Sequence, residues 1–119
     1  MFTAAARRYV DLSNAADLEG ALGMFAEDAS YRSTQVGSFE GRDAIATMMT
    51  GFFERFRDAH WRVATYDEVA PNEVEFDFVM TARSSDTGQT IERRGTERIS
   101  FDTRGKIVRV FVAVDPDPA

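Results

Sequence analysis

Glu97 is out of keeping with the residues around it. In the alternating run from Ile91 to Phe101, Ile99 and Phe101 mark an apolar face, and a period of two places Arg93, Gly95 and Glu97 on it. Arg94, Thr96, Arg98 and Ser100 take the other, polar face. A carboxyl group aimed at a core is costly to bury ionised. Either it stays protonated with a raised pKa, or a cation such as Arg93 meets it at the mouth of the fold. Tyr9 is the second candidate. It sits on the apolar stripe of an N-terminal helix, and its hydroxyl needs a partner once buried. The plain alternative is a core tyrosine bonded to a carbonyl. A buried phenol and a protonated acid converging on one point would form an oxyanion hole, able to stabilise an enolate-like charge with preorganised donors.

Other chemistries are poorly provided for. His60 is the one histidine and reads as a connector at a helix-to-strand junction, Asp58–Trp61, so a mechanism needing two imidazoles is excluded. With no cysteine and only scattered surface acids, neither a disulfide nor a metal site is expected. No phosphate loop, dinucleotide glycine fingerprint or nucleophile elbow occurs, and no cofactor is expected. Fourteen Lys and Arg against 20 Asp and Glu give a net charge of −6, which argues against nucleic acid as a partner. No apolar run approaches the roughly 20 residues of a membrane span, and residues 1–16 do not read as a signal peptide. A cytoplasmic setting is the expectation.

The elements that must position Tyr9 and Glu97 follow from periodicity. Phe2, Ala5, Ala6, Tyr9, Leu12 and Ala16 recur at helical spacing, and Asp17 is a good N-cap for a short second helix carrying Leu18, Ala21, Leu22 and Phe25. An extended piece at Ala29–Ser33 and a loop through Gly37 and Gly41 come next. The third helix is the clearest, with Ile45, Met48, Met49, Phe52 and Phe56 on one face and Asp43 in its first turn. From Trp61 the period becomes two. Turn signals at Pro71–Asn72, Asp86–Gly88 and Asp102–Gly105 divide the remainder into strands at Trp61–Val69, Glu73–Ser84, Ile91–Phe101 and Ile107–Val114.

This order predicts an α+β fold, with three N-terminal helices packed on one face of a curved antiparallel meander. One domain spans residues 1–115, and 116–119 read as a disordered tail. With 44% hydrophobic residues, the chain can fill one core. Helices over a strongly curved sheet leave a cavity for a small apolar molecule. Its expected walls are Ser33, Met49, Phe52, Phe56, Trp61, Phe76, Phe78, Met80 and Val112. The outward Val79 and the apolar last strand predict a homodimer formed through the sheet.

The stretches Tyr9–Leu12 (YVDL), Ala16–Ala29 (ADLEGALGMFAEDA), Gly41–Ile45 (GRDAI) and Phe101–Val108 (FDTRGKIV) resemble the nuclear transport factor 2-like superfamily. That group includes ketosteroid isomerase, SnoaL-type polyketide cyclases, scytalone dehydratase and limonene epoxide hydrolase. The resemblance implies a cone-shaped α+β barrel with an apolar pocket, usually dimeric through its sheet. By similarity to ketosteroid isomerase, Tyr9 falls on the oxyanion-hole tyrosine and Glu97 on the protonated oxyanion-hole acid, a carboxyl kept neutral by its apolar site. The general-base position falls on Ser33, and an unassisted serine does not shuttle protons near neutral pH. Two functions follow. One is an isomerase, cyclase or lyase acting on a small hydrophobic carbonyl compound through enolate stabilisation, with Asp115 the least poor candidate base. The other is a non-catalytic domain holding a hydrophobic ligand or a partner chain.

Overall fold

The computed structural model describes residues 2–116, so the last three residues of the expected tail lie outside the described residues. Helix α1 (Thr3–Asn14) buries Ala6, Tyr9 and Val10. Helix α2 (Leu18–Leu22) starts where the Asp17 carboxylate accepts the Gly20 N–H at 2.9 Å, one of the donors a helix start leaves unpaired. Helix α3 (Arg42–Arg55) follows Gly41, whose φ of 89° suits glycine, and carries Asp43 in its first turn and Arg55 in its last, both favourable to the helix dipole.

Seven strands make one sheet: β1 (Phe25–Ser33), β2 (Gly37–Glu40), β3 (His60–Arg62), β4 (Asp67–Ala70), β5 (Glu73–Arg83), β6 (Thr90–Phe101) and β7 (Ile107–Val114). Their order is β2-β1-β7-β6-β5-β3, with β4 also on β5. The fold is α+β, a cone in which a curled, unclosed sheet carries the helices on one face. Among the described residues no helix is long and apolar enough to cross a membrane.

The architecture departs from a simple meander in four places. The sheet is mixed, because β1 runs parallel to β7, pairing Tyr31 with Val110 and Ser33 with Val112. A β1–β2 hairpin sits between α2 and α3, where the glycine-rich stretch reads as loop. The polar edge strand β2 carries no apolar alternation to reveal it. The stretch from Trp61 to Val69 is two strands. β3 pairs with Val79–Thr81 and β4 with Glu73–Glu75, and the chain leaves the sheet between them, with the Tyr66 ring packed at a tilt against Phe76, 5.0 Å between centroids. β1 begins at Phe25, four residues earlier than expected, since α2 closes at Gly23 and the Ile107 N–H already bonds the Met24 carbonyl at 2.8 Å.

The core lies between α1, α3 and the inner sheet face, with Phe25, Ile45, Phe76, Ile99, Phe101 and Ile107 among its most buried side chains. Phe2 stacks on Phe101 at 4.8 Å at one end. The last strand divides its apolar residues: Ile107, Val110 and Val112 turn inward, leaving Phe111 exposed on the outer face. There it keeps company with the Arg98–Glu75 ion pair and the Thr96–Asp77 hydrogen bond.

Gly95 is where the sheet needs a missing side chain. A Cβ there would run into the Ala113 carbonyl oxygen of β7 and lie 3.0 Å from Phe78 Cζ. Backbone atoms cannot swing aside as a flexible side chain would. Gly95→Ala is therefore expected to destabilise the fold by about 1–3 kcal/mol, the usual cost of overpacking, read as a lower denaturation midpoint in urea.

Candidate functional site

The inner face of the sheet brings distant residues into one row. Pairing across β1, β7, β6 and β5 places Ser33 beside Val112, Val112 beside Glu97, and Glu97 beside Phe76. Helices α1 and α3 lie over this row, and between them is a cavity of about 80 Å³. Tyr9 enters from α1, Tyr31 and Ser33 from β1, Met49 and Phe52 from α3, Trp61 from β3, Phe78 and Met80 from β5, Glu97 from β6 and Val112 from β7. Val10, Ser13, Gln35, Val36, Met48, Phe53, Arg93 and Val114 complete the lining.

One wall is aromatic. Phe52 lies 5.3 Å from Phe53 and 5.8 Å from Trp61, centroid to centroid, and Phe53 lies 5.9 Å from Trp61. Trp61 is held there by Asn14 at the end of α1, whose side-chain amide donates to the Trp61 carbonyl at 2.9 Å while its oxygen accepts the Trp61 N–H at 2.7 Å. Two residues expected in the lining are outside it. Phe76 is 1% exposed, sealed under Tyr66, and Phe56 ends α3 behind Phe52, beneath the guanidinium groups of Arg55 and Arg93. A residue on the right face still misses the cavity when another ring fills the space before it.

The opposite wall is polar. Glu97 is 6% exposed, and burial pushes its carboxyl up to about 8, because a charge loses its hydration there. Burial likewise raises the Tyr9 hydroxyl well above the ordinary tyrosine value, with charge at Tyr31 and Glu97 adding to the effect. Tyr31 is raised by burial and then by the Glu97 charge. Among the described residues no hydrogen bond takes up the side-chain oxygens of Tyr9, Tyr31 or Glu97, yet no buried side-chain polar atom is left sealed without a partner. Their polar ends therefore open into the cavity. Ser33 differs: its hydroxyl oxygen accepts the backbone N–H groups of Gln35 at 3.1 Å and Val36 at 3.2 Å, holding the turn at the rim.

Arg93 lines the cavity, but its guanidinium lies 5.4 Å from the Phe56 ring centroid, and no ion pair joins it to Glu97 among the described residues. Arg32, His60 and Asp115 are exposed and outside the lining. Among the described residues no three His, Cys, Asp or Glu side chains gather as metal ligands. Tyr31 is the polar lining residue that periodicity reaches and that attention to Ser33 alone passes over. It stands two residues before Ser33 in a strand and so shares its face.

Helices α1 and α3 over a curled mixed sheet, with the cavity between them, are the architecture of the nuclear transport factor 2-like superfamily, and solved structures bear this out. A protein of that fold from Exiguobacterium sp. 255-15, of unknown function, superposes with a TM-score of 0.83 at 20% identity, covering 95% of this chain and 98% of its own. A Mycobacterium tuberculosis protein in complex with estradiol-17β-hemisuccinate gives 0.79 at 18% identity, over 91% of this chain and 88% of that one. A ketosteroid isomerase-like fold from Catenulispora acidiphila, in complex with trimethylamine, gives 0.78 at 12% identity, over 87% and 79%. Residues 6–110 match the SnoaL-like domain model, and the chain belongs to that family. No curated protein matches the sequence.

The raised Glu97 pKa has a measurable consequence. The native state keeps its proton after the unfolded chain, near 4.5, has released it. The contribution to stability is therefore complete below about 4.5 and is lost progressively up to about 8. Relative to Glu97→Gln, the wild type is expected to lose on the order of 5 kcal/mol over that window, measured by urea unfolding at several pH values. Carboxyl-carbon NMR should place the Glu97 midpoint near 8. An ordinary carboxylate midpoint would show a solvated or ion-paired side chain instead.

Proposed function

We propose that the cavity binds a small hydrophobic carbonyl compound and stabilises an enolate-like oxyanion on it, serving an isomerase, cyclase or lyase reaction. One observation carries this reading: Tyr9 and Glu97, both buried, turn hydrogen-bonding ends into one apolar cavity. Glu97 in its protonated form donates, as Tyr9 does, and donors fixed in a dry site favour charge that develops on a carbonyl oxygen. The aromatic wall of Phe52, Phe53 and Trp61 supplies apolar contact for the rest of the ligand. Estradiol-17β-hemisuccinate and trimethylamine in two relatives of this fold support a cavity that takes organic molecules.

A second reading is favoured by Ser33. Its oxygen holds a turn, and it stands where the resemblance to ketosteroid isomerase puts the base; a non-catalytic domain that holds a hydrophobic ligand would need no base. A homodimer through the outer sheet face and a cytoplasmic setting belong to the same proposal. The dimer draws on Phe111, 39% exposed in the middle of that face.

4-Nitrophenolate is a direct probe of the donors. Its absorbance is expected to shift on saturable binding, and Tyr9→Phe is expected to weaken that binding about 10- to 100-fold, the usual loss for a hydrogen bond to a charged group. Above pH 8 the ionised Glu97 repels the anion, so affinity should fall about tenfold per pH unit, whereas Glu97→Gln should bind with no such fall. No binding, or binding indifferent to pH and to Tyr9, would remove the oxyanion reading. Binding without turnover of any enolisable ketone would favour the non-catalytic domain. Sedimentation equilibrium at micromolar concentration tests the dimer, and a mass of one chain, 13.3 kDa, would exclude it.

A further inference from the structure

The carboxyl of Glu97 has two forms, and the oxyanion reading uses the protonated one alone. Ionised, it is an unmatched negative charge at a cavity wall: among the described residues no cation pairs with it and no hydrogen bond takes up its oxygens. A charge so placed favours whatever cation can reach it. The walls facing it are aromatic. Among the described lining residues six carry rings: Tyr9 of α1, Tyr31 of β1, Phe52 and Phe53 of α3, Trp61 of β3 and Phe78 of β5. Ring faces attract a cation within about 6 Å of their centroids, Trp most of all. Methylated ammonium ions suit such walls, because they carry charge beneath an apolar surface.

We infer that the cavity takes a methylated ammonium ion, with the ionised Glu97 carboxylate as its counter-charge and the wall of Phe52, Phe53 and Trp61 against its methyl groups. The inference goes beyond the oxyanion reading and does not rest on it. Protonated Glu97 donates to an anion, whereas ionised Glu97 receives a cation. One side chain thus gives the cavity two ligand classes, selected by pH.

Size and field agree with this. An apolar cavity of roughly 150 Å³ admits the six carbons of benzene. The 80 Å³ here suits a head group of roughly four or five heavy atoms, the size of trimethyl- or tetramethylammonium. Phe52 lies 5.3 Å from Phe53 and 5.8 Å from Trp61, and Phe53 lies 5.9 Å from Trp61, so one cation can meet more than one ring. The net charge of −6 draws cations toward the chain.

Every element packed on Glu97 bears on its charge. Tyr9 faces it from α1 and Tyr31 from β1, both kept neutral by burial, and its field reaches Tyr66, which precedes β4. Phe76 of β5 and Val112 of β7 flank it without charge, and α3 presents Met and Phe. Arg93, on the same strand as Glu97, is the cation of the lining, and its guanidinium lies over Phe56; Arg7 lies over Tyr66. Burial pushes the Glu97 carboxyl up to about 8, so an entering cation must displace a proton below that pH and meets a ready carboxylate above it.

Tetramethylammonium is the probe, because its charge does not titrate and any pH dependence is then the protein's. Isothermal titration calorimetry across pH 6–9.5 is expected to show saturable binding that strengthens about tenfold per pH unit up to about 8 and then levels off. At pH 6–7 close to one proton should leave per cation bound, read from heats in buffers of different ionisation enthalpy. Uncharged tert-butanol, of nearly the same shape, should bind at least about tenfold more weakly at pH 9 and without that rise. Glu97→Gln should lose at least about tenfold at pH 9 together with the pH dependence. Trp61→Leu should lose about 2- to 30-fold and keep the dependence, with circular dichroism confirming that both variants are folded. No binding of tetramethylammonium at pH 9, equal binding of tert-butanol, affinity that declines as pH rises through 8, or a Glu97→Gln variant that binds as tightly as wild type would overturn the inference. The 4-nitrophenolate titration separates the two readings: anion binding without cation binding removes this inference and leaves the oxyanion reading standing, and the reverse result removes the oxyanion reading alone.

Discussion

A carboxyl group held on the inner face of a sheet, without a counter-charge, is the constraint on which the rest of this molecule turns. Glu97 sits between Phe76 and Val112 in a row whose other partners are apolar or a serine already occupied. A sheet of this size could place a valine there at no cost. The acid is tolerated because protonation is cheaper than burying its charge, and because its end opens into a cavity instead of being sealed in protein. The ionised form is the one that the fold holds least well.

The surrounding structure keeps that balance. Gly95, two residues before Glu97, leaves room for the Ala113 carbonyl of β7 and the Phe78 ring, where a side chain would not fit. Asn14 clamps Trp61 to the end of α1, so the aromatic wall and Tyr9 are referred to the same helix. The turn after β1 depends on the Ser33 hydroxyl, which ties the rim of the cavity to the strand that carries Tyr31. Each device fixes a polar group by backbone contacts rather than by ion pairing. The ion pairs, such as Arg98–Glu75, lie on the outer face or at the surface, where solvent leaves them little energy.

Ser33 and Glu97 lie one strand apart, with Val112 between them, and Tyr31 shares the Ser33 face at the next inward position of β1. The polar groups that line the cavity are thus spread over β1, β6 and, through Tyr9, α1, so their grouping depends on strand pairing and helix packing rather than on proximity in sequence.

Local pattern was enough for much of this. Helical spacing marked α1 and α3, a period of two marked β5, β6 and β7, and the same period exposed Glu97 as an acid on an apolar face, because side-chain direction in a regular element follows directly from residue spacing. What spacing does not contain is which strands become neighbours. The parallel pairing of β1 with β7 joins residues some 80 positions apart, and it alone brings Tyr31 and Ser33 to Glu97. The polar β2 and the interrupted stretch of β3 and β4 were hidden for a related reason: edge strands are defined by the partner they pair with more than by their own side chains. Phe56 and Phe76 show the limit most plainly. Their sequence positions are indistinguishable from those of Phe52 and Phe78, and only three-dimensional packing decided which rings line the cavity and which stand behind it.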